Sequence, residues 1–276
     1  MKRDQMIKLS GKNHFLRLLQ ILAPVFVLTA IAIGGTLYAS VRITPTATLP
    51  GAHYTISSPL DEDGIVFTSA SFDMNGGNTV ALIVTTKGGH TSAIRRATFA
   101  GQEMEQFSVI NQAQMSLIFY IINPEVTSGE FVFVLDPNYD GTIFGYAYSA
   151  IALANVGRIA DTASNMSTSS STGADFPVSY TTSSAGSFVL GAFANNGNVS
   201  SRRPLFYSGN ANQTLLPSTV ADYNGHLHTY GTVEAPGFHT DIYRGQYARN
   251  ALAAVAFDTT DWLAPLTWPP AAAYGT

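Results

Sequence analysis

The sequence predicts an all-β protein, an antiparallel β-sandwich or jelly roll preceded by one N-terminal transmembrane helix. Three observations predict it. Residues 18–39 carry no formal charge and follow a basic tail. Beyond them, short apolar runs rich in Val, Ile, Phe and Tyr recur between clusters of Gly, Asn, Ser, Asp and Pro. No stretch of that region shows a sustained helical period with caps.

The anchor comes first. Lys2, Arg3, Lys8, Lys12 and Arg17 make residues 1–17 a basic tail offset by Asp4 alone. The 22 uncharged residues from Leu18 to Ala39 follow. As a helix at about 1.5 Å per residue they span about 33 Å, enough for a hydrocarbon core of about 30 Å. Cations stay cytoplasmic, so the N-terminus is expected inside and the C-terminal part exported. A secretory signal cleaved after Ala39 is the competing reading and would release the exported part. Leu37, where cleavage prefers a small residue, and the length of the run favour a retained signal anchor.

Residues 40–54 read as a spacer, because Ile43-Thr-Pro-Thr-Ala-Thr-Leu-Pro50 has Pro and Thr but no apolar periodicity. The next element, 55–258, reads as one β-sandwich domain, and 259–276 as a tail rich in Trp and Pro. The expected strands are Thr79–Thr86, Met115–Ile122, Glu130–Leu135, Phe144–Leu153, Ser187–Phe193 and Ala251–Phe257. The Ser/Thr-rich segment Thr162–Thr172 reads as an exposed loop or crossover, and no period argues for a repeat array.

Composition narrows the function classes. The whole chain carries −4 and residues 1–17 carry +4, so the remainder carries about −8, with Lys87 its only lysine. That balance offers no basic surface for nucleic acid. There is no cysteine, which removes disulfides and thiolate ligands.

A series of landmarks runs through 55–258. They are Asn78-Thr-Val-Ala-Leu-Ile-Val-Thr-Thr86, Ala97-Thr-Phe-Ala-Gly-Gln-Glu-Met104, Phe119-Tyr-Ile-Ile-Asn-Pro124 and Gly129-Glu-Phe-Val-Phe-Val134. Ala150-Ile-Ala-Leu-Ala-Asn-Val156, Gly186-Ser-Phe-Val-Leu-Gly-Ala192, Glu234-Ala-Pro-Gly237 and Ala251-Leu-Ala-Ala-Val-Ala-Phe257 complete it. In this order the chain resembles a family of exported β-sandwich domains found in bacterial surface proteins and some phage proteins. The resemblance implies a concanavalin-like or jelly-roll sandwich. It implies no settled activity and transfers no catalytic residue, since such folds host lectins, capsid parts and hydrolases alike.

Two constellations have the residue types for a metal. Asp136-Pro-Asn138-Tyr-Asp140-Gly141 places oxygen ligands at alternate positions of a tight turn, as in the first half of a calcium loop. The twelfth position is Ala147 rather than a bidentate Glu, which excludes an EF-hand and leaves a calcium-stapled turn or a plain polar hairpin. Asp136, Asn138 and Asp140 are the candidate Ca2+ ligands. His226 and His228 are the weaker second candidate, because residues two apart on a strand share a face; Glu234 and His239 follow them. No other cofactor is expected.

Aromatic faces near amides suit sugar stacking. The candidates are Tyr207, Tyr223, Tyr230, Tyr243 and Tyr247, beside Asn195, Asn196, Asn210 and Asn212; ordinary strand positions are their other reading. Carboxylates at Asp61-Glu62-Asp63, Glu103 and Glu105 form no assignable acid–base pair, and no nucleophile elbow, zinc helix or P-loop is present. No catalytic residue is assigned.

These readings together predict a membrane-tethered module, N-terminus cytoplasmic and C-terminal domain at the cell surface, acting in binding or adhesion with glycans as expected ligands. One alternative is a structural subunit of a surface appendage or a membrane-associated virion protein. Another is a secreted carbohydrate-active enzyme. The expected partners are the membrane, through 18–39, and surface glycans or like subunits, but not nucleic acid.

Overall fold

The computed structural model describes residues 40–49, 56–57, 65–87, 94–111, 114–135, 142–143, 145–167, 174–195, 205–208, 212–215, 225–245 and 249–260. The anchor expected at 18–39 and the tail beyond Thr260 lie outside them. No helix among the described residues is long and apolar enough to cross a membrane.

Every regular element described is a strand. In the first half these are β1 (Arg42–Leu49), β2 (Ile56–Ser57), β3 (Ile65–Thr68), β4 (Phe72–Asp73), β5 (Thr79–Lys87), β6 (Ile94–Phe99), β7 (Gln102–Glu103), β8 (Glu105–Asn111), β9 (Gln114–Ile122), β10 (Ser128–Gly129), β11 (Phe131–Leu135), β12 (Thr142–Ile143) and β13 (Gly145–Ala154). The second half holds β14 (Val156–Ser167), β15 (Ala174–Thr182), β16 (Ser187–Asn195), β17 (Leu205–Ser208), β18 (Asn212–Leu215), β19 (His226–Val233), β20 (Gly237–Gly245) and β21 (Asn250–Thr259).

The larger sheets run β1-β13-β5-β9-β8 and β14-β21-β16-β19-β18; the smaller ones run β3-β11-β6-β7 and β15-β20-β17. β2 with β12 and β4 with β10 form two-stranded ribbons. Setting aside the two-residue strands leaves eight strands in each half. In both halves the large sheet takes them in the order first, eighth, third, sixth, fifth, and the small sheet takes second, seventh, fourth. The chain therefore folds as two sandwiches of one strand order, where the sequence reading expects a single sandwich over 55–258. The repeat lies in connectivity and not in residues, which is why no sequence period announces it.

Three apolar layers bind the four sheets. One lies inside the first sandwich, with Leu82, Leu117, Phe119, Phe131 and Phe133. A second joins the two large sheets, with Ile83, Ile118 and Ile151 facing Leu190, Ala253 and Val255. The third lies inside the second sandwich, with Val178, Tyr180, Val189, Phe193 and Leu252. The large sheets are thus covered on both faces, and β16 and β21 are buried at every residue. Double coverage demands unbroken apolar runs rather than alternation.

Two segments differ from expectation. Residues 42–49, read as a free spacer, are extended but paired: β1 lies antiparallel to β13, Arg42 opposite Ala154 and Leu49 opposite Ala150. The register slips between Ile43 and Thr48, and Pro45 falls in that irregular stretch of an edge strand, where a missing N–H is tolerated. Thr162–Ser167, read as loop, belongs to β14 and pairs with β21 down to Ser167 opposite Asn250. β14 is an edge strand whose exposed Thr162 and Ser164 account for its polar composition, and Met166 is exposed beside them.

One residue joins the sandwiches. Asn155 stands between β13 and β14 at φ 66°, a left-handed conformation that Asn tolerates better than most residues. The Asn78 side chain clasps the next residue from both sides: its Nδ2 donates to the Val156 carbonyl at 2.6 Å, and its Oδ1 accepts from the Val156 N–H at 3.0 Å.

Candidate functional site

The histidine pair sits where the two sandwiches meet. Both rings project from β19 toward the first sandwich, as their spacing predicts. His228 Nε2 is 2.8 Å from Thr85 Oγ1, and its Nδ1 is 2.8 Å from Ser149 Oγ. His226 Nδ1 reaches the same Thr85 oxygen at 2.9 Å. His228 is buried, and desolvation pushes its pKa from 6.5 down to about 3, so the ring is neutral. A neutral imidazole donates through one nitrogen and accepts through the other, which suits two hydroxyl partners.

That arrangement leaves His228 no lone pair for an ion. The other residues of the proposed set lie elsewhere: Glu234 is exposed beyond the end of β19, and His239 is buried in the second sandwich with Nε2 3.0 Å from Thr182 Oγ1. Among the described residues no three His, Cys, Asp or Glu side chains converge to hold a metal. The calcium-loop candidates Asp136, Asn138 and Asp140 lie outside the described residues.

The tyrosines do not form one surface. Tyr243 is fully buried, its hydroxyl 2.8 Å from Thr229 Oγ1 inside the second sandwich, which removes it from any glycan face. Tyr230 is half-buried and stacks on Phe188 with centroids 5.8 Å apart, so one of its faces is already taken. Tyr207 belongs to β17, and Tyr223 and Tyr247 lie outside the described residues.

A polar recess of about 450 Å³ was not foreseen in the sequence. Gly157, Arg158, Ser183, Ser184, Asp258, Thr259 and Thr260 line it. Asp258 is its centre, with only 2% of its surface exposed. Its carboxylate accepts from the Ser183 N–H at 3.1 Å, from the Ser183 hydroxyl, from the Ser187 hydroxyl at 2.8 Å and from Arg158 Nη2 at 3.4 Å. Burial works to raise its pKa, yet the serine and arginine hydrogen bonds together outweigh burial and hold it below 3.8. A carboxylate so saturated and so acidic is poorly suited to general-base work near neutral pH. It is well suited to stapling the Ser183–Gly186 turn to the end of β21.

Asp258→Ala removes the shared, charged acceptor of Ser183, Ser187 and Arg158 and is expected to cost about 2 kcal/mol in urea unfolding at pH 7. Because the folded pKa is depressed, this stabilisation is present above pH 3.8 and is lost as pH falls below it.

Comparison of the chain with protein-family models, with curated proteins and with solved structures finds no match.

Proposed function

We propose that the chain is a structural subunit of a surface assembly, held at a membrane by residues 18–39 and presenting two fused jelly rolls. The observation that carries this reading is the pairing of two sandwiches of one strand order across a buried interface. Four sheets joined through three buried apolar layers make one continuously packed block, a property that suits a building element. The strand order fits a jelly roll whose fifth strand has moved from the smaller sheet to the larger. Such folds occur in capsids and in lectins, so the fold alone favours neither. Burial of Tyr243 and stacking of Tyr230 weaken the glycan-binding reading and move the structural one ahead.

Negative-stain electron microscopy and light scattering of the purified full chain in detergent test the proposal. Ordered oligomers, rings or filaments are expected without added ligand. A monodisperse monomer whose tyrosine and tryptophan fluorescence responds to saccharides would replace it with a tethered binding module.

A further inference from the structure

The described residues begin and end beside one asparagine. Asn155, the junction between the sandwiches, donates through Nδ2 to the Ser40 carbonyl at 3.1 Å. Its own carbonyl accepts from the Thr260 N–H at 3.0 Å. Ser40 and Thr260 are thus two hydrogen bonds and one residue apart, within about 11 Å of each other. The same end carries the turns between the long strands. Residues 74–78 and 123–127 meet there in the first sandwich, the Asn123 N–H donating to the Asn78 carbonyl at 2.6 Å. Residues 183–186 and 234–236 close the second, the Gly186 N–H donating to the Val233 carbonyl at 2.9 Å and the Val41 N–H to the Gly186 carbonyl at 2.9 Å. Two of the three large apolar side chains exposed among the described residues belong to this end, Val126 and the 71% exposed Phe238. Exposed charges here are of both signs, Arg42 and Arg158 among Glu105, Glu125 and Glu234.

We propose that residues 261–276 make a second membrane contact, in the headgroup layer beside the anchor, so that the junction end of both sandwiches faces the bilayer. The proposal rests on the reading of 18–39 as a membrane anchor. Ser40 directly follows that run, and Arg42 already begins β1, so no free spacer separates anchor from sandwich. The polar layer on each side of the hydrocarbon core is about 5–8 Å thick. From Thr260, two further residues span at most about 7 Å and bring Trp262 within reach of that layer.

The composition of 261–276 fits the same place. It holds Trp262, Trp268 and Tyr274 with Leu263 and Leu266, and Asp261 is its only charged side chain. Indole and phenol rings settle at the membrane–water boundary because they are apolar bodies with one hydrogen-bonding edge. With no Lys or Arg in the tail and acidic residues in the majority around it, ring insertion and not charge draws it to the surface. Zwitterionic lipid therefore suffices as the partner.

Trp262 and Trp268 are the only tryptophans, so the tryptophan emission of the full chain reports on this tail alone. In phosphatidylcholine vesicles that emission is expected to be blue-shifted, and to lose more intensity to a nitroxide near the lipid headgroup than to one deep in the acyl chain. The chain lacks cysteine, so single fluorescent labels at Glu234→Cys and Met166→Cys report the orientation of the block. Met166 lies opposite Ala251, about 25 Å along β21 from Thr259. A headgroup nitroxide should quench the label at 234 and spare the label at 166. Blue-shifted tryptophan emission that neither nitroxide quenches overturns the proposal in favour of a tail packed on protein, its own or a second copy's. Red-shifted emission quenched by aqueous iodide overturns it in favour of a tail free in water. Equal quenching of the two labels overturns the orientation. Flotation of the vesicles after an alkaline wash tests the anchor separately. A chain that floats but fails the quenching refutes the tail contact alone, whereas a chain left behind refutes the anchor and the proposal with it.

Discussion

Phe131→Ala is expected to lower the unfolding free energy by about 3–5 kcal/mol, the range for truncating a buried aromatic. Phe131 is fully buried in the first sandwich, with ring centroids 4.9 Å from Phe99 and 5.3 Å from Phe72. Those neighbours are themselves buried, on β6 and β4, so neither can collapse into the space without breaking its own register. Urea unfolding followed by circular dichroism reads the loss. Phe131→Leu, which retains most of the volume, should lose distinctly less. Similar losses for the two would mean that this site relaxes and that the aromatic cluster is not closely packed.

Gly191→Val is expected to cost at least about 3 kcal/mol, toward or beyond the upper end of overpacking effects. A Cβ at Gly191 would overlap the Tyr243 hydroxyl and Thr229 Oγ1, and would lie 3.1 Å from Tyr243 Cζ. The tyrosine cannot swing aside, because its ring is fully buried with its centroid 5.8 Å from Phe193. The glycine is needed for close approach and not for an unusual backbone, since it sits in the regular ladder of β16 opposite Thr229 and Ala254. The milder Gly191→Ala should cost less in a Tyr243→Phe, Thr229→Ala background, where both obstructing oxygens are gone. A double-mutant cycle measures that coupling, and an unchanged cost would place the strain elsewhere.

Most strands legible in the sequence are buried on both faces; Glu130–Leu135, which matches β11 of a smaller sheet, is the exception. Thr79–Thr86, Met115–Ile122, Ser187–Phe193 and Ala251–Phe257 fall within β5, β9, β16 and β21 because a sheet between two others needs unbroken apolar runs. Edge strands carry no such mark. β14 turns Thr162 and Ser164 toward water within a Ser/Thr-rich stretch, and β1 contains a proline, so both imitate loops. The face shared by His226 and His228 was legible from parity. Their partners were not: Thr85 precedes His228 by 143 residues, and nothing local indicates that the opposing surface offers hydroxyls instead of carboxylates. Asp258 was hidden for the same reason, since its serine ligands come from a turn 75 residues earlier.

In each sandwich the first strand pairs with the eighth, and that order constrains how the molecule comes into being. The Thr44 hydroxyl finds the Ala152 carbonyl across 108 residues of chain. At about 5–20 residues per second, roughly 5–20 s of synthesis separate the two partners. Until β13 emerges, β1 and β5 both present unsatisfied backbone edges, the templates on which misassembly begins. Once β13 fills the gap between them, the first sandwich is complete while the second is still unmade. The nascent second half then meets a finished sheet face, against which β16 and β21 can assemble.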